Sequence, residues 1–182
     1  MNIKTISALV LAGVCSVSVS SLSAANFSYN YVEAGIAKVD ADGAENTYGI
    51  DGSYGVTPNV NLLGSYSTTE IGDIDVSGFS LGAGYHAPIS PSTDFVGEVS
   101  YINIEADGVE DQSGYGLNAG VRHKVSPEIE ANASINFVDI EDKDDTSFTV
   151  GGRYYFNQQF SAGLGYETGD DGTVFGTLRM DF

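Results

Sequence analysis

The sequence predicts an all-β protein: a transmembrane antiparallel up-and-down β-barrel, most simply of ten strands, that follows a cleaved signal peptide. Three observations predict this fold class. Apolar residues recur at every second position in runs of about ten residues, which is the period of a strand. The connectors between these runs alternate between short and long. Finally, 11 Tyr and 9 Phe accompany 23 Gly, a mixture typical of many short strands with tight turns.

The first segment is predicted to lie outside the fold. Residues 1–25 combine a positively charged start, an apolar run over 6–19 without acidic residues, and small residues before Ala25, which together indicate a secretory signal peptide. A membrane anchor fits less well because the apolar run is short. The barrel is then expected over residues 26–182. Cys15, the single cysteine, lies in the signal segment, so no disulfide is expected in the barrel.

The strands are predicted from the different residue types on their two faces. Nine runs carry apolar residues on one face and mostly Gly, Ser, Asn and Thr on the other; in the first of them Tyr48 and Ile50 share the apolar face and Asp51 the opposite one. An additional strand is predicted over 27–38 from its composition, although its phase is ambiguous because Tyr31 lies on one face and apolar aliphatic residues on the other. Eight strands are the alternative if this strand or one hairpin is misread.

The connectors are of two kinds. All four prolines fall in the short kind, and none falls in a predicted strand, as expected for a residue that cannot donate to a ladder. Short turns on one side and longer loops on the other are typical of an outer-membrane barrel. The short connectors are 57–59, 88–92, 126–128 and 157–159, and the long, acidic ones are 39–45, 71–75, 106–112, 140–146 and 168–172.

The position of aromatic residues along the strands indicates which face meets lipid. A soluble barrel shows the same alternation with its apolar face inward, but it has no reason to sort side chains by depth. Here aromatic residues at both strand ends flank an aliphatic band, as the interfacial girdles of a membrane barrel do. Near the long loops the predicted girdle contains Tyr48, Tyr66, Phe79, Tyr101, Tyr115, Phe137, Phe148 and Tyr166; near the short turns it contains Tyr54, Tyr85, Phe95, Phe156, Phe160 and Phe182.

The last strand must pair with the first, because an open sheet would leave unpaired amides in hydrocarbon. That strand ends on Phe182, and an alternating final strand with a terminal Phe resembles the signal that the barrel-assembly machinery of outer membranes recognises. The expected partners are therefore this machinery, outer-membrane lipid and lipopolysaccharide, in the cell outer membrane of a Gram-negative-type envelope. An extracellular partner is not indicated by the residues.

Several stretches resemble a known family. NYVEAG (residues 30–35), ISPSTDFVGEVSY (89–101), GLNAGVRHKVS (116–126) and YYFNQQFSAGLGYETGDD (154–171) are similar to the small outer-membrane barrels named after a proposed activator of rice immunity. The resemblance runs the length of the mature chain. Like other porin-like small barrels, this family belongs to the broad group of outer-membrane β-barrels. It implies an exported barrel without a catalytic signature, and no ligand or signalling residues follow from it.

Isolated charges are predicted inside the barrel, most of the basic ones near the short turns. They must pair with each other or meet water. Ion pairs such as Glu98 with Arg122 that fill the interior are one interpretation, and a constriction that selects small solutes is the other. If ions pass, the acidic mouth should favour cations. The predicted lumen charges are Glu33, Asp51, Glu98, Glu130, Arg122, Lys124, Arg153 and Arg179, of which Glu33 requires that Tyr31 point inward.

The formal charge of -18 comes from 25 acidic against 7 basic residues, and most of the acids lie in or beside the long loops. So few basic residues argue against nucleic-acid binding. Asp40 and Asp42 hint at a calcium loop, but the ordered ligand series ending in Glu is missing. No metal site or cofactor is therefore expected, and loose association of divalent cations with the loops remains the weaker hypothesis.

Catalysis is not expected either. The two histidines, His86 and His123, lie at the short-turn ends of their strands, and neither has a nearby partner in sequence for a triad. Both are predicted to be interfacial residues. The sequence thus predicts a porin-like or structural outer-membrane barrel with a largely filled polar lumen, and the alternative is a surface recognition or adhesion barrel that acts through its acidic loops.

Overall fold

The computed structural model describes residues 27–39, 46–72, 74–106, 108, 110–141, 143–169 and 172–182. The predicted signal peptide lies outside the described residues. No helix in the described part of the chain is long and apolar enough to cross a membrane. The described residues form β1 (Tyr31–Val39), β2 (Asn46–Thr57), β3 (Val60–Ile71), β4 (Ile74–Ser90), β5 (Thr93–Ala106), β6 (Gln112–Lys124), β7 (Ile129–Ile140), β8 (Lys143–Tyr155), β9 (Phe160–Glu167) and β10 (Thr173–Asp181).

The strands close into one barrel, each antiparallel to its neighbours in the chain, and β1 pairs with both β2 and β10. In this closing pair Glu33 of β1 lies opposite Arg179 of β10, and on its other side it lies opposite Asp51 of β2. The predicted fold class and the pairing of the last strand with the first are confirmed. Closure removes the edge of unpaired amides that hydrocarbon would not tolerate.

Side chains alternate between an apolar outer wall and a mostly polar interior. On β2, Ile50 is 50% exposed on the outside, whereas Ser53 is 4% exposed on the inside. β1 follows the same rule, with Val32 outside at 41% and Tyr31 inside at 1%. The phase that the sequence leaves open for the first strand therefore places Glu33 in the interior.

The connector between β3 and β4 is shorter than predicted. The expected long loop over 71–75 is a two-residue turn, in which Gly72 has a φ of 64°. Glu70 and Asp75 lie directly opposite each other on the two strands. The loop prediction is wrong because acidic residues need not end a strand: Glu70 and Asp75 are exposed, so their charges stay solvated while the backbone remains paired.

The same correction applies between β7 and β8. The expected long loop over 140–146 is again a two-residue turn, whose first residue, Glu141, has a φ of 52°. Asp139 and Asp144 face each other across this hairpin. Positive φ at the first central position is what tight hairpin turns require, and here a glutamate supplies it.

Pro88 lies inside β4, although the sequence places every proline in a turn. It pairs with Asp94 immediately before a register shift between Pro88 and Ser90. Proline has no N–H to donate to the ladder, and a bulge at the end of the strand leaves a position where no such hydrogen bond is needed. Of the predicted connector over 88–92, only Pro91 and Ser92 lie between β4 and β5.

Candidate functional site in the barrel interior

The predicted girdle residues lie on the outer wall. All of them are exposed except Phe137, which is half-buried beside Tyr115 with ring centroids 6.1 Å apart. Tyr154, which is not among the predicted girdle residues, is also outside at 51% exposure and contacts the Phe156 ring edge-on. The predicted lumen charges all point to the opposite, inner face, so the interior is where a functional site must be sought.

The residues before β1 turn into the short-turn end of the barrel. Phe27 is 4% exposed and Tyr29 is fully buried. The Tyr29 hydroxyl donates a hydrogen bond of 2.7 Å to Asp94 Oδ2 on β5, and Ser53 Oγ on β2 donates to the Tyr29 carbonyl at 2.9 Å. This short segment therefore lies inside the barrel and links β2 to β5, two strands of the wall that do not pair with each other.

His86 belongs to this interior group, so its prediction as an interfacial residue is wrong. Its side chain is 1% exposed and stacks on the Tyr29 ring with centroids 3.5 Å apart. Neither ring nitrogen has a hydrogen-bond partner in the described part of the chain. The phase of β4 carries the correct signal, because Tyr85 is outside and the next residue must point inward.

Arg122 is the centre of the charges at the short-turn end and is completely buried. Its Nη2 donates to Glu130 Oε2 at 2.8 Å, and the Tyr155 hydroxyl donates to the same oxygen at 2.7 Å. The guanidinium lies 4.7 Å from the Phe27 ring centroid, a cation–π contact. We call Phe27, Tyr29, His86, Asp94, Arg122, Glu130 and Tyr155 the short-turn cluster.

The ion pair expected between Glu98 and Arg122 does not form. Arg122 on β6 is one diagonal step from Glu130 on β7, because Lys124 is the direct partner of Glu130. Glu98 instead lies opposite Asn118, four residues along the same strand from Arg122. The register thus delivers Glu130 to Arg122, and Lys124 Nζ approaches Glu130 Oε2 at 3.8 Å.

A second group of charges joins β1, β8 and β10. Glu33 on β1 accepts a hydrogen bond of 2.8 Å from Arg179 Nε on β10 and forms an ion pair with Arg153 Nη2 on β8. The Arg179 guanidinium lies 4.1 Å from the Tyr31 ring centroid. Each of the four interior basic residues thus has a carboxylate within ion-pair distance.

Two further lumen acids, Asp51 and Glu98, are half-buried. Glu98 has no ion-pair partner among the described residues, and its Oε1 accepts no hydrogen bond from them. Nearer the long loops Glu167 accepts hydrogen bonds from Ser147 and Thr149 at 2.9 and 3.1 Å. The interior therefore contains more carboxylates than the basic side chains balance.

The loop end of the interior is apolar on one side, a feature that is not predicted from the sequence. Ile102 on β5 and Val138 on β7 pack over Gly116 on the strand between them, where a Cβ would lie 3.1 Å from Ile102 Cδ1 and 3.8 Å from Val138 Cγ2. The sequence does contain a signal for this apolar side, because aliphatic residues occupy the inner phase at the loop ends of neighbouring strands. The buried set is Ile71, Val76, Ile102, Ile104, Val138 and Ile140.

His123, the second histidine, is exposed on the outer face of β6, with its Nδ1 2.9 Å from Thr93 Oγ1. Within the described ranges no group of three or more His, Cys, Asp or Glu side chains is arranged to hold a metal ion. The candidate loop at Asp40 and Asp42 lies outside the described residues.

The family described as "Outer membrane protein beta-barrel domain" matches residues 7–167. The chain belongs to this family. It is an integral protein of the cell outer membrane with a porin-like barrel, so its outer wall faces lipid. No curated protein sequence matches the chain.

Solved outer-membrane porins have a similar fold. A KdgM porin has a TM-score of 0.55 at 10% identity, covering 84% of this chain and 99% of that chain. A NanC porin has a TM-score of 0.55 at 8% identity, covering 84% of this chain and 100% of that chain. An outer-membrane channel from Pseudomonas putida F1 has a TM-score of 0.52 at 10% identity, covering 91% of this chain and 100% of that chain. At these identities the likeness extends to the fold alone.

Proposed function

We propose that this outer-membrane protein is a porin-like or structural barrel whose lumen is largely filled by its own side chains, so that small solutes, with a preference for cations, are the most that it passes. The observation that carries this proposal is the complete burial of Arg122 between Glu130 and the ring of Phe27. A water path along this part of the interior requires these side chains to move apart.

The cost of such a movement supports the proposal. Arg122 and Glu130 are both buried, and separating a buried pair leaves uncompensated charge, which costs about 3–5 kcal/mol. Tyr29 is held by its hydrogen bond to Asp94 and by its stack on His86. A thermally open lumen would therefore be a rare state at the short-turn end.

The balance of charge supports the preference for cations. The interior holds more carboxylates than basic side chains among the described residues: the four basic residues are Arg122, Lys124, Arg153 and Arg179, and the acids are Glu33, Asp51, Asp94, Glu98, Glu130, Glu167 and Asp181. Glu98 is half-buried and has no ion-pair partner among the described residues. At the loop end the acid pairs Glu70 with Asp75 and Asp139 with Asp144 lie on the outward phase of their hairpins and add negative potential around the rim of the barrel. Carboxylates near a pore entrance concentrate cations and repel anions.

A catalytic role is not proposed. A general base works when a second group orients it and a reacting proton lies within hydrogen-bond distance. His86 is buried with both nitrogens unbonded by the described residues, and His123 is on the outer wall beside Thr93. Neither arrangement supports hydrolysis of a peptide or a lipid.

Single-channel recording from the refolded barrel in planar lipid bilayers tests the proposal. We expect either no steps or steps much smaller than those of an open porin recorded in the same salt, with a reversal potential in a salt gradient that indicates cation permeation. Large, long-lived openings of the unmodified protein, or anion selectivity, would contradict it. Heat-modifiable migration on a detergent gel confirms beforehand that the barrel is folded.

Surface recognition through the acidic hairpins is the second candidate. It is favoured by the β3–β4 and β7–β8 hairpins, which continue as paired strands up to two-residue turns and hold Asp75 and Asp144 on regular ladders. A rigid acidic hairpin presents its charges at fixed spacing to a basic partner. Salt-sensitive binding of whole cells to a cationic surface, lost when both acid pairs are changed to amides, would support this function, and unchanged binding would exclude it.

A further inference from the structure

The outer wall formed by β8, β9, β10 and β1 contains an apolar groove of about 910 Å³. Its floor is made of small residues, and its sides are larger apolar side chains. Polar atoms contribute little to its surface. The residues that shape it are Ala34, Gly152, Tyr154, Ala162, Leu164 and Gly176.

The register explains why the groove forms here. Leu164 on β9 lies opposite Gly176 on β10 and opposite Gly152 on β8, so neither direct neighbour on the outer face has a side chain. Leu164 is consequently 73% exposed, and Leu178 nearby is 66% exposed. On the β4 wall Leu81 has a glycine, Gly64, on one side only.

The groove lies toward the short-turn end of the barrel, the end that faces the periplasm in outer-membrane barrels. It extends along the wall to Tyr154 and Phe156, which stand at the short-turn end of β8, and to Ile129 at the start of β7. The strands of this wall are also short, since β9 has 8 residues and β1 and β10 have 9 each, against 17 in β4. A membrane-spanning strand uses about 9–11 residues, so the bilayer is in contact with this wall along its whole length.

We propose that this groove binds one acyl chain of a periplasmic-leaflet phospholipid. The wall is already the lipid interface of an outer-membrane protein, so acyl chains are what it meets. A linear methylene chain needs no polar partner and gains dispersion contacts with the groove walls that it lacks on a ridged surface. A second copy of the barrel would present its own convex wall, which bridges a groove without filling it. The proposal rests on the fold and is independent of whether the pore conducts.

The chain contains no Trp, so one introduced tryptophan reports on its own surroundings. We would compare Leu164→Trp in the groove with Leu81→Trp on the β4 wall, each refolded into phosphatidylcholine vesicles that contain increasing fractions of phosphatidylcholine with brominated acyl chains. Bromine quenches a tryptophan that it touches. We expect half-quenching of the groove tryptophan at a brominated fraction about threefold lower, which corresponds to a modest preference in binding free energy.

Filling the groove provides the matched control. Gly152→Leu in the Leu164→Trp background should remove the difference, because a Cβ at Gly152 meets nothing closer than the Glu130 carbonyl oxygen at 3.7 Å and the new side chain occupies the groove without strain. Identical quenching curves at the two positions would show that the groove retains no acyl chain and would overturn the proposal. Weaker quenching in the groove would also overturn it, since it would mean that protein covers this wall.

Discussion

Tyr29 donates a hydrogen bond of 2.7 Å to Asp94 and thereby joins the segment before β1 to the inner face of β5. The Tyr29 ring also stacks on His86 of β4, and the Tyr29 backbone carbonyl accepts a hydrogen bond from Ser53 of β2. Three separate strands thus hold one residue at the short-turn end of the interior. If the lumen is filled as we propose, removing this side chain should open it most directly.

Tyr29→Ala is expected to increase the single-channel conductance of the refolded barrel, because it deletes the ring on His86 and the hydrogen bond to Asp94 together. The measurement is the step size in planar bilayers at fixed salt and voltage. Phe95→Ala is the matched control, since Phe95 lies next to Asp94 on the outer face of β5 and is 39% exposed. Equal conductance of Tyr29→Ala and the unmodified protein would show that Tyr29 does not limit permeation.

The Arg122 and Glu130 pair gives a prediction about stability. Glu130→Ala leaves the buried Arg122 guanidinium without its carboxylate and should lower the free energy of unfolding by about 3–5 kcal/mol. The measurement is urea unfolding of the barrel in lipid vesicles. Removing both charges in the double variant Arg122→Met and Glu130→Leu should cost less than the single change, because no fully buried guanidinium is then left without a carboxylate; Lys124 loses Glu130 in both variants, so its loss cancels in the comparison. A double variant less stable than Glu130→Ala would contradict this account.

Close strand packing at Gly120 gives a second stability prediction. A Cβ at this position of β6 would lie 2.6 Å from the Ala133 carbonyl oxygen and 2.7 Å from Ser134 Cβ, so a methyl group requires the backbone to shift. Gly120→Ala should therefore destabilise the barrel by about 1–3 kcal/mol. Gly64→Ala is the control, since the nearest atom to its Cβ is 3.6 Å away, and its unfolding midpoint should stay close to that of the unmodified protein.

The two tight hairpin turns should respond to substitution in opposite ways. Glu141 has a φ of 52°, a conformation that costs a residue with a Cβ about 1–2 kcal/mol, so Glu141→Gly should stabilise the barrel by about 1 kcal/mol. Gly72 has a φ of 64°, and Gly72→Ala should destabilise it by a comparable amount. Thermal unfolding followed by gel mobility measures both changes. Shifts in the same direction would show that turn strain is not their cause.

The outer wall could be predicted from sequence because apolar and polar residues alternate within each strand, independently of its neighbours. Closure of the barrel follows from the absence of water in the bilayer. The contacts in the interior could not be predicted, since they depend on the register between strands. Chemical type alone pairs Glu98 with Arg122, whereas the β6–β7 register brings Glu130 there. The sequence predicts the segment containing Tyr29 as part of a strand, but its place inside the barrel depends on partners on three other strands.

Glu98 gives the prediction that tests ion selectivity. If this half-buried carboxylate contributes to a cation preference, Glu98→Gln should lower the ratio of cation to anion permeability, measured as the reversal potential across a salt gradient. Recording in the Tyr29→Ala background provides the larger current that the measurement needs. Glu70→Gln is the control at the exposed hairpin, where salt screens a charge beyond about 8 Å at physiological ionic strength, so its effect should fade as salt is raised while that of Glu98→Gln persists. An unchanged reversal potential in Glu98→Gln would assign the selectivity to the acidic mouth alone.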